Sequence, residues 1–168
     1  PSDFSAGHLV GAAIFADGSA SAIVHQDARS LRFIASHSCM TSASRHLMGY
    51  DLLDDGAHLR LDKELPSFLA REVPRQVEAF LKTRGIPQGE IAWWLFHPGG
   101  AKILSILQEL LKLENDQCSF ASNILTNYGN LSSASVLLVI DNFLKSQKAL
   151  PGEKVLLFRK HQQPSPLF

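Results

Sequence analysis

The stretch "WWLFHPGGAKIL", residues 93–104, decides the fold because a strand pattern changes into a helix pattern within a few residues. The apolar run "IAWWLF", residues 91–96, is typical of a strand covered on both faces. The next segment, residues 100–113, repeats apolar residues at helical spacing. A strand followed by a helix is the unit of an α/β sheet. His97, between the two, is predicted to lie at the carboxyl edge of the sheet, where such folds place their ligands.

The same alternation of strand and helix patterns continues along the chain. Strand patterns occupy residues 9–15, 19–24, 31–35, 91–96 and 153–158. Helix patterns occupy residues 64–85, 100–113, 114–127 and 132–148. They predict an α/β fold in which a mixed sheet of about five strands is covered by helices.

Turn residues refine this prediction. Gly18, in the turn Ala16-Asp17-Gly18, predicts that the first two strands form a hairpin. Pro74 should kink or divide the first helix, and Gly85 lies where its C-cap belongs. Residues 45–63 read as a long, functional excursion with one short extended piece at residues 58–61.

Composition limits the classes of function. The 168 residues carry 16 basic and 16 acidic side chains, so no net charge attracts nucleic acid or an anionic membrane. No apolar run approaches the roughly 20 residues that a membrane helix needs, and no secretory signal is visible. Cys39 and Cys118 are too few for a disulfide framework, which agrees with the reducing cytosol. A cytoplasmic location is expected.

The residues around His97 suit oxyanion chemistry. Pro98 fits the first position of the following helix, and Gly99-Gly100 would let a ligand or another backbone approach closely. The positive end of that helix disfavours an imidazolium, so His97 is expected to be neutral and able to donate a hydrogen bond. The structural alternative is a histidine satisfied by local backbone groups. No metal is expected, because His97 lacks companion ligands at metal spacing.

A second seam, "TNYGNLSSAS" at residues 126–135, supplies another donor. Gly129 permits a tight left-handed turn, and Asn130 occupies the expected N-cap of the next helix. A capping asparagine accepts with its oxygen, which leaves its NH2 group free to donate. If Asn130 and His97 face one cavity, they would stabilise an enolate or a tetrahedral oxyanion. Helix capping alone is the structural alternative for Asn130.

These motifs resemble a known family. "FHPGGAKIL", residues 96–104, together with "ILTNYGNLSSASVLLVID", residues 124–141, is similar to the C-terminal half of type III polyketide synthases. These are the chalcone synthase group of the thiolase-fold condensing enzymes. Residues 9–24 resemble the family's strand pair at the domain junction, and residues 54–69 the segment lining its elongation cavity. The resemblance implies a thiolase-like half over residues 1–158 and a loose tail over residues 159–168.

The resemblance also implies residue roles. His97 and Asn130 match the pair that binds the thioester carbonyl of malonyl-CoA, promotes its decarboxylation and stabilises the enolate. Phe15 matches a gatekeeper between the CoA tunnel and the cavity, with core packing as its alternative. Leu59 stands where the family has the second gatekeeper, a phenylalanine. Ser132, which follows Asn130 as in the family, is expected to shape the cavity. Gly99 and Gly100 complete the expected cavity residues.

Substrates and partners follow from the same resemblance. The substrates would be malonyl-CoA and an acyl-CoA starter, joined by decarboxylative Claisen condensation, and no bound cofactor is expected. The family's nucleophilic cysteine belongs to an N-terminal half that this sequence lacks, so an N-terminal half-domain or a homodimer partner is expected. Without that partner the chain is expected to be inactive.

Two features depart from the family. Cys39 and Cys118 both lack the context of a nucleophile and are expected to be structural. The family's glycine-rich "GFGPG"-type loop is replaced by "RKHQQPSPLF", residues 159–168. Two other functions therefore stay open: a subunit similar to ketoacyl synthase III, and a non-catalytic binding or assembly module that retains the fold.

Overall fold

Five α-helices and four β-strands make up the described part of the chain. The structure, a computed structural model, describes residues 6–26, 31–39, 42–54 and 56–159. The helices are α1 (Ala6–Ile14), α2 (Leu65–Thr83), α3 (Ala101–Leu110), α4 (Asn115–Tyr128) and α5 (Ser133–Ser146). The strands are β1 (Met48–Leu53), β2 (Gly56–Leu61), β3 (Ile91–Phe96) and β4 (Lys154–Phe158). The predicted α/β class is confirmed.

The parallel pair of β3 and β4 lies at the centre of the core. Trp94, Leu95 and Phe96 of β3 are at most 1% exposed, because α4 and α5 pack against this strand. On the α4 and α5 side, the Trp93 ring meets Phe120 and Phe143 at centroid distances of 5.9 and 5.7 Å. A continuous apolar strand, as predicted for residues 91–96, is therefore covered by helices as expected.

Helix α2 follows its apolar periodicity. The buried residues recur every four positions and form one stripe: Leu65, Leu69, Val73, Val77 and Leu81. The helix runs through Pro74 as one element, so Pro74 does not divide it, and the predicted alternative of a kink stays a prediction. Gly85, at φ +63°, follows the helix end in the left-handed conformation expected there.

The later helices and the closing strand are confirmed within one or two residues at most boundaries. Glu114 begins α4 with a capping box, in which its backbone N–H donates to Gln117 Oε1 at 3.0 Å. Strand β4 pairs in parallel with β3, with Leu157 opposite Leu95 and Phe158 opposite Phe96.

The predicted N-terminal hairpin is wrong. Residues 6–14 form α1, and residues 16–25 have no regular secondary structure. A continuous apolar run does not distinguish a strand from a buried helix by periodicity alone. Here Gly7 and Gly11, four residues apart, let α1 approach β2: a Cβ on Gly11 would lie 2.5 Å from Leu59 Cδ2.

The predicted strand at residues 31–35 is also wrong, because these residues are not in a strand and Phe33 is 79% exposed. An extended segment becomes a strand only when it pairs with a sheet edge, and residues 31–35 join neither of the two sheets. The excursion at residues 45–63 is mostly an antiparallel hairpin of β1 and β2, and β2 includes the predicted extended piece. Four strands in two separate sheets thus replace the expected sheet of about five among the described residues.

The paired residues Leu95 and Leu157 test which of the two strands lies in the core. Leu95 is 0% and Leu157 is 44% exposed, although they lie opposite each other in the register. We expect Leu95→Ala to lower the free energy of unfolding by about 2–5 kcal/mol and Leu157→Ala by about 1 kcal/mol or less. Urea unfolding followed by tryptophan fluorescence measures both. Equal losses would contradict this assignment of the core.

Candidate active site

His97 is held by the main chain at the carboxyl end of β3. Its backbone N–H donates to the Phe158 carbonyl at 2.9 Å, which extends the β3–β4 pairing by one residue. The Gly99 N–H donates to the His97 carbonyl at 2.8 Å and closes a tight turn over Pro98. The predicted position of His97 is confirmed. Pro98 is not the first helical residue, however, because α3 begins at Ala101 with Gly100 as its N-cap.

The His97 imidazole is half-buried and uncharged at neutral pH. Burial, and secondarily the positive charge of Arg159, lower its pKa to about 4. The direction expected from the sequence is confirmed, although burial rather than the helix terminus is the main cause. The Nδ1 atom is buried without a hydrogen-bond partner among the residues that the structure describes. Local backbone groups in that part of the chain therefore do not satisfy the imidazole.

Gly99 leaves space beside the imidazole ring. A Cβ at this position would lie 3.6 Å from His97 Cδ2 and 4.0 Å from His97 Nε2. Any larger side chain growing from that point would compete with a ligand for the space beside Nε2. The absence of a side chain at Gly99 therefore suits close approach by a substrate, as the sequence predicted.

Asn130 is fixed by main-chain hydrogen bonds on both sides. Its N–H donates to the Ile14 carbonyl at 2.8 Å, and its carbonyl accepts from the Ala16 N–H at 3.1 Å. These bonds form a parallel bridge between Asn130 and Phe15. Gly129, at φ +74°, makes the approach possible, since a Cβ there would lie 2.9 Å from the Ile14 oxygen. The positive φ that the sequence predicted for Gly129 is confirmed, but with ψ −165° the residue is extended and does not form the expected left-handed turn.

The Asn130 side chain does not cap α5 as predicted. Its Oδ1 accepts from the Ser132 N–H at 2.9 Å, two residues on, whereas the N-cap of α5 is Ser132. An asparagine side chain readily forms this local turn instead of a cap. Asn130 is buried, and within the described ranges no hydrogen bond occupies its Nδ2 amide. The Asn130 NH2 group is therefore still free to donate, as predicted, because the side-chain oxygen accepts a local hydrogen bond instead of capping the helix.

Ile14 connects the two seams. Its carbonyl accepts the hydrogen bond from Asn130, and its Cδ1 atom lies 3.7 Å from the point where Gly100 would carry a Cβ. The lack of a side chain on Gly100 thus allows Ile14 to pack against the turn after His97. Sequence reasoning missed Ile14 because this contact depends on the long-range bridge to Asn130.

Two expected cavity residues, Phe15 and Leu59, border a common point. A Cβ on Gly11 would lie 2.5 Å from Leu59 Cδ2 and 3.8 Å from Phe15 Cδ2. Both side chains are half-buried. The Phe15 side chain therefore lies near Leu59, and its main chain is bridged to Asn130. Ser132 is exposed beside Asn130.

The two cysteines differ in environment. Cys118 is buried in α4, its Sγ lies 3.5 Å from the Glu114 carbonyl, and burial raises its thiol pKa. A raised pKa leaves little thiolate, so Cys118 is suited to packing, as expected, and not to nucleophilic attack. Cys39 is exposed, so burial does not explain its presence, and the expectation that it is structural stays a prediction.

Sequence reasoning also missed Arg159, which enters the site because it follows β4 as His97 follows β3. The available signal was the apolar run ending at Phe158. Within the described ranges, no group of three or more His, Cys, Asp or Glu residues could hold a metal ion. In the same ranges, no helix is both long and apolar enough to span a membrane.

Gly129 and Gly85 provide a matched pair for testing the bridge to Asn130. Both have positive φ, but a Cβ on Gly85 would meet nothing within 4 Å. Gly85→Ala should therefore lower the free energy of unfolding by about 1–2 kcal/mol, for the left-handed conformation alone. Gly129→Ala should lower it by about 1–3 kcal/mol more, because φ +74° with ψ −165° is a conformation nearly restricted to glycine and the methyl group would also meet the Ile14 carbonyl. Chemical unfolding measures both, and equal losses would show that the close approach at Gly129 is not needed.

The imidazole of His97 should remain uncharged down to about pH 4. An unfolded chain binds this proton near pH 6.5. The folded-state pKa is the lower one, so His97 stabilises the fold fully above pH 6.5, and this contribution is lost as the pH falls towards 4. The His97 Cε1–H chemical shift in an NMR titration reports the folded-state value. A midpoint near the unfolded value would contradict the buried, neutral ring.

Comparison with known proteins gives a family match over most of the chain. Residues 33–154 match the family described as chalcone and stilbene synthases, C-terminal domain. A Bacillus subtilis (strain 168) protein named "Putative chalcone synthase" is 27% identical over 166 residues, which are 94% of this chain and 46% of that protein. The chain thus spans about half the length of this curated relative.

Two solved structures show the same relationship. A polyketide synthase from the brown alga Ectocarpus siliculosus is 26% identical, with a TM-score of 0.60 over 70% of this chain and 33% of its own. The C-terminal type III polyketide synthase domain of the Dictyostelium type I/III hybrid Steely1 is 28% identical, with a TM-score of 0.60 over 66% and 32%. The expected thiolase-like character is thereby supported. This chain belongs to the chalcone and stilbene synthase C-terminal domain family, the C-terminal part of type III polyketide synthases.

Proposed function

We propose that this chain supplies the enolate-stabilising half of a decarboxylative condensing enzyme. Malonyl-CoA and an acyl-CoA starter are its substrates, and His97 and Asn130 receive the thioester carbonyl of the malonyl group. The observation that carries the proposal is the pair of seams around Ile14, each presenting a neutral donor. One donor is a half-buried imidazole and the other is a buried amide.

The chemistry of the pair follows from its charge state. Loss of carbon dioxide from a malonyl thioester leaves negative charge on the thioester oxygen. Two neutral hydrogen-bond donors stabilise that charge, and their effect is larger in a site from which water is excluded. A permanently charged imidazolium would attract negative charge in the bound substrate as well as in the transition state. Neutral donors directed at the thioester oxygen instead stabilise mainly the charge that develops in the transition state.

The geometry favours Nε2 as the donor of His97. A neutral imidazole carries one N–H and one lone pair. Nδ1 is buried, whereas Nε2 lies 4.0 Å from the point where Gly99 would carry a Cβ. We therefore assign Nε2 as the atom that meets the substrate carbonyl. The Asn130 amide is its expected counterpart, because Ser132 already occupies Oδ1.

The proposed reaction needs a nucleophile that holds the acyl group. Cys118 is buried with a raised pKa, and the sequence around Cys39 lacks the context of a nucleophile, so neither cysteine suits this role. We place the acyl group on a cysteine of an N-terminal half, supplied by a separate chain or by the remainder of a longer protein, within a cytoplasmic homodimer. The starter acyl-CoA would be loaded there, and Phe15 with Leu59 would line the passage to the cavity.

The proposal is tested by malonyl-CoA decarboxylation with this chain combined with a cysteine-bearing N-terminal half. His97→Ala and Asn130→Ala should each lower kcat by about 10²–10³-fold, the usual effect of removing one oxyanion donor. Asn127→Ala is the matched control, because the exposed Asn127 side chain donates within its own helix, to the Asn123 carbonyl at 2.7 Å. Release of carbon dioxide measured by a coupled assay gives kcat. Activity that survives both site variants would refute the assigned pair.

A second candidate is a non-catalytic assembly module. Its support is a set of strongly exposed apolar side chains in the irregular segments: Ile23, Val24, Phe33 and Ile34, which are 76–92% exposed. Exposed apolar surface of this kind favours association. If the combined halves associate without releasing carbon dioxide, that result would support the assembly function and refute the enzymatic one.

A further inference from the structure

We infer that Arg159 is a substrate-binding residue beside His97, which gives the site a preference for thioesters that carry a free carboxylate. This inference rests on the proposed function and deepens it. Arg159 lies at the point where the resembling family has a glycine-rich loop, so the function of the family does not account for it.

The register of the sheet places the two residues side by side. Phe96 is paired with Phe158 in a parallel ladder, and the His97 N–H donates to the Phe158 carbonyl. His97 and Arg159 are therefore the next residues on two strands that run about 4.8 Å apart. Residues in register on parallel strands direct their side chains to the same face of the sheet. The charge of Arg159 does reach the imidazole, since it contributes to lowering the His97 pKa.

The Arg159 guanidinium is available to a ligand. Arg159 is exposed, and within the described ranges it forms no ion pair or side-chain hydrogen bond. Arg60, by contrast, is paired with Asp51 at 2.7 Å. A planar guanidinium binds a carboxylate through two parallel hydrogen bonds.

Arg159 adds a selectivity that the neutral pair lacks. His97 and Asn130 can bind the carbonyl of any thioester, whether or not it carries a second acid group. A cation beside them distinguishes a malonyl group from an acetyl group. Since the same contact stabilises the carboxylate before it is lost, its effect belongs to the affinity for substrate and not to an increase in kcat.

The test compares two stable analogues of CoA thioesters, in which nitrogen replaces the thioester sulfur: a malonyl amide and an acetyl amide. Calorimetry gives the Kd of each, and of CoA itself, for the chain alone and for the chain with the N-terminal half. The variants are Arg159→Gln and Arg159→Lys. Arg84→Gln is the control, because Arg84 is exposed in the turn before β3, at the opposite end of the strand from His97.

Arg159→Gln should raise the Kd for the malonyl amide about two- to fivefold, the range for an exposed ion pair. The Kd for the acetyl amide should be unchanged. Arg159→Lys should retain part of the preference, and Arg84→Gln all of it. Equal weakening of both analogues and of CoA would assign the charge to the CoA phosphates and overturn the inference. Unchanged malonyl affinity, or no binding by either preparation, would also overturn it.

Failure of this inference can be separated from failure of the proposed function. The analogues report binding without turnover. A preference that depends on Arg159, with no decarboxylation of malonyl-CoA, would refute only the proposed function. Decarboxylation that needs His97, without any charge-dependent preference, would refute only the role of Arg159.

Discussion

The hydrogen bond from the His97 N–H to the Phe158 carbonyl is the constraint on which the site depends. It continues the parallel ladder of β3 and β4 beyond the last buried residue, so a polar side chain is carried to the edge of a closely packed core. Because Trp94, Leu95 and Phe96 are buried by α4 and α5, the strand cannot shift without exposing them. The position of the imidazole is thus fixed by apolar packing that takes no part in the chemistry.

The sequence predicted the elements whose local pattern and tertiary environment agree. Residues 91–96 form a fully apolar run and become the central strand, and the four-residue apolar repeat of α2 becomes its buried stripe. The N-terminal elements could not be predicted in this way. Leu9 and Val10 fit a strand or a helix equally well, and the close approach of Gly11 to Leu59, across some 50 residues of chain, decides between them. Local patterns contain no information about such distant partners.

The sequence predicted the two donors of the site but not the contacts that connect them. The types of residue at the two seams indicated two neutral donors, and both remain available in the structure. The physical reasons why these two donors are neutral and available differ from those expected. Burial and Arg159 keep His97 uncharged, and a hydrogen bond from the Ser132 N–H occupies the Asn130 oxygen. The role of Ile14 as the connection between the seams is a tertiary property. To predict that Arg159 lies beside His97, one must know that β4 lies beside β3, which the sequence alone does not specify.

The most direct test of the account is a crystal structure of this chain, combined with a cysteine-bearing N-terminal half and bound to acetyl-CoA, which has no carboxylate to lose. We expect the thioester oxygen to lie about 2.7–3.1 Å from both His97 Nε2 and Asn130 Nδ2, the distance range of an oxyanion donor. A thioester oxygen bound elsewhere, with these two side chains directed away from it, would contradict the assignment of the enolate-stabilising pair.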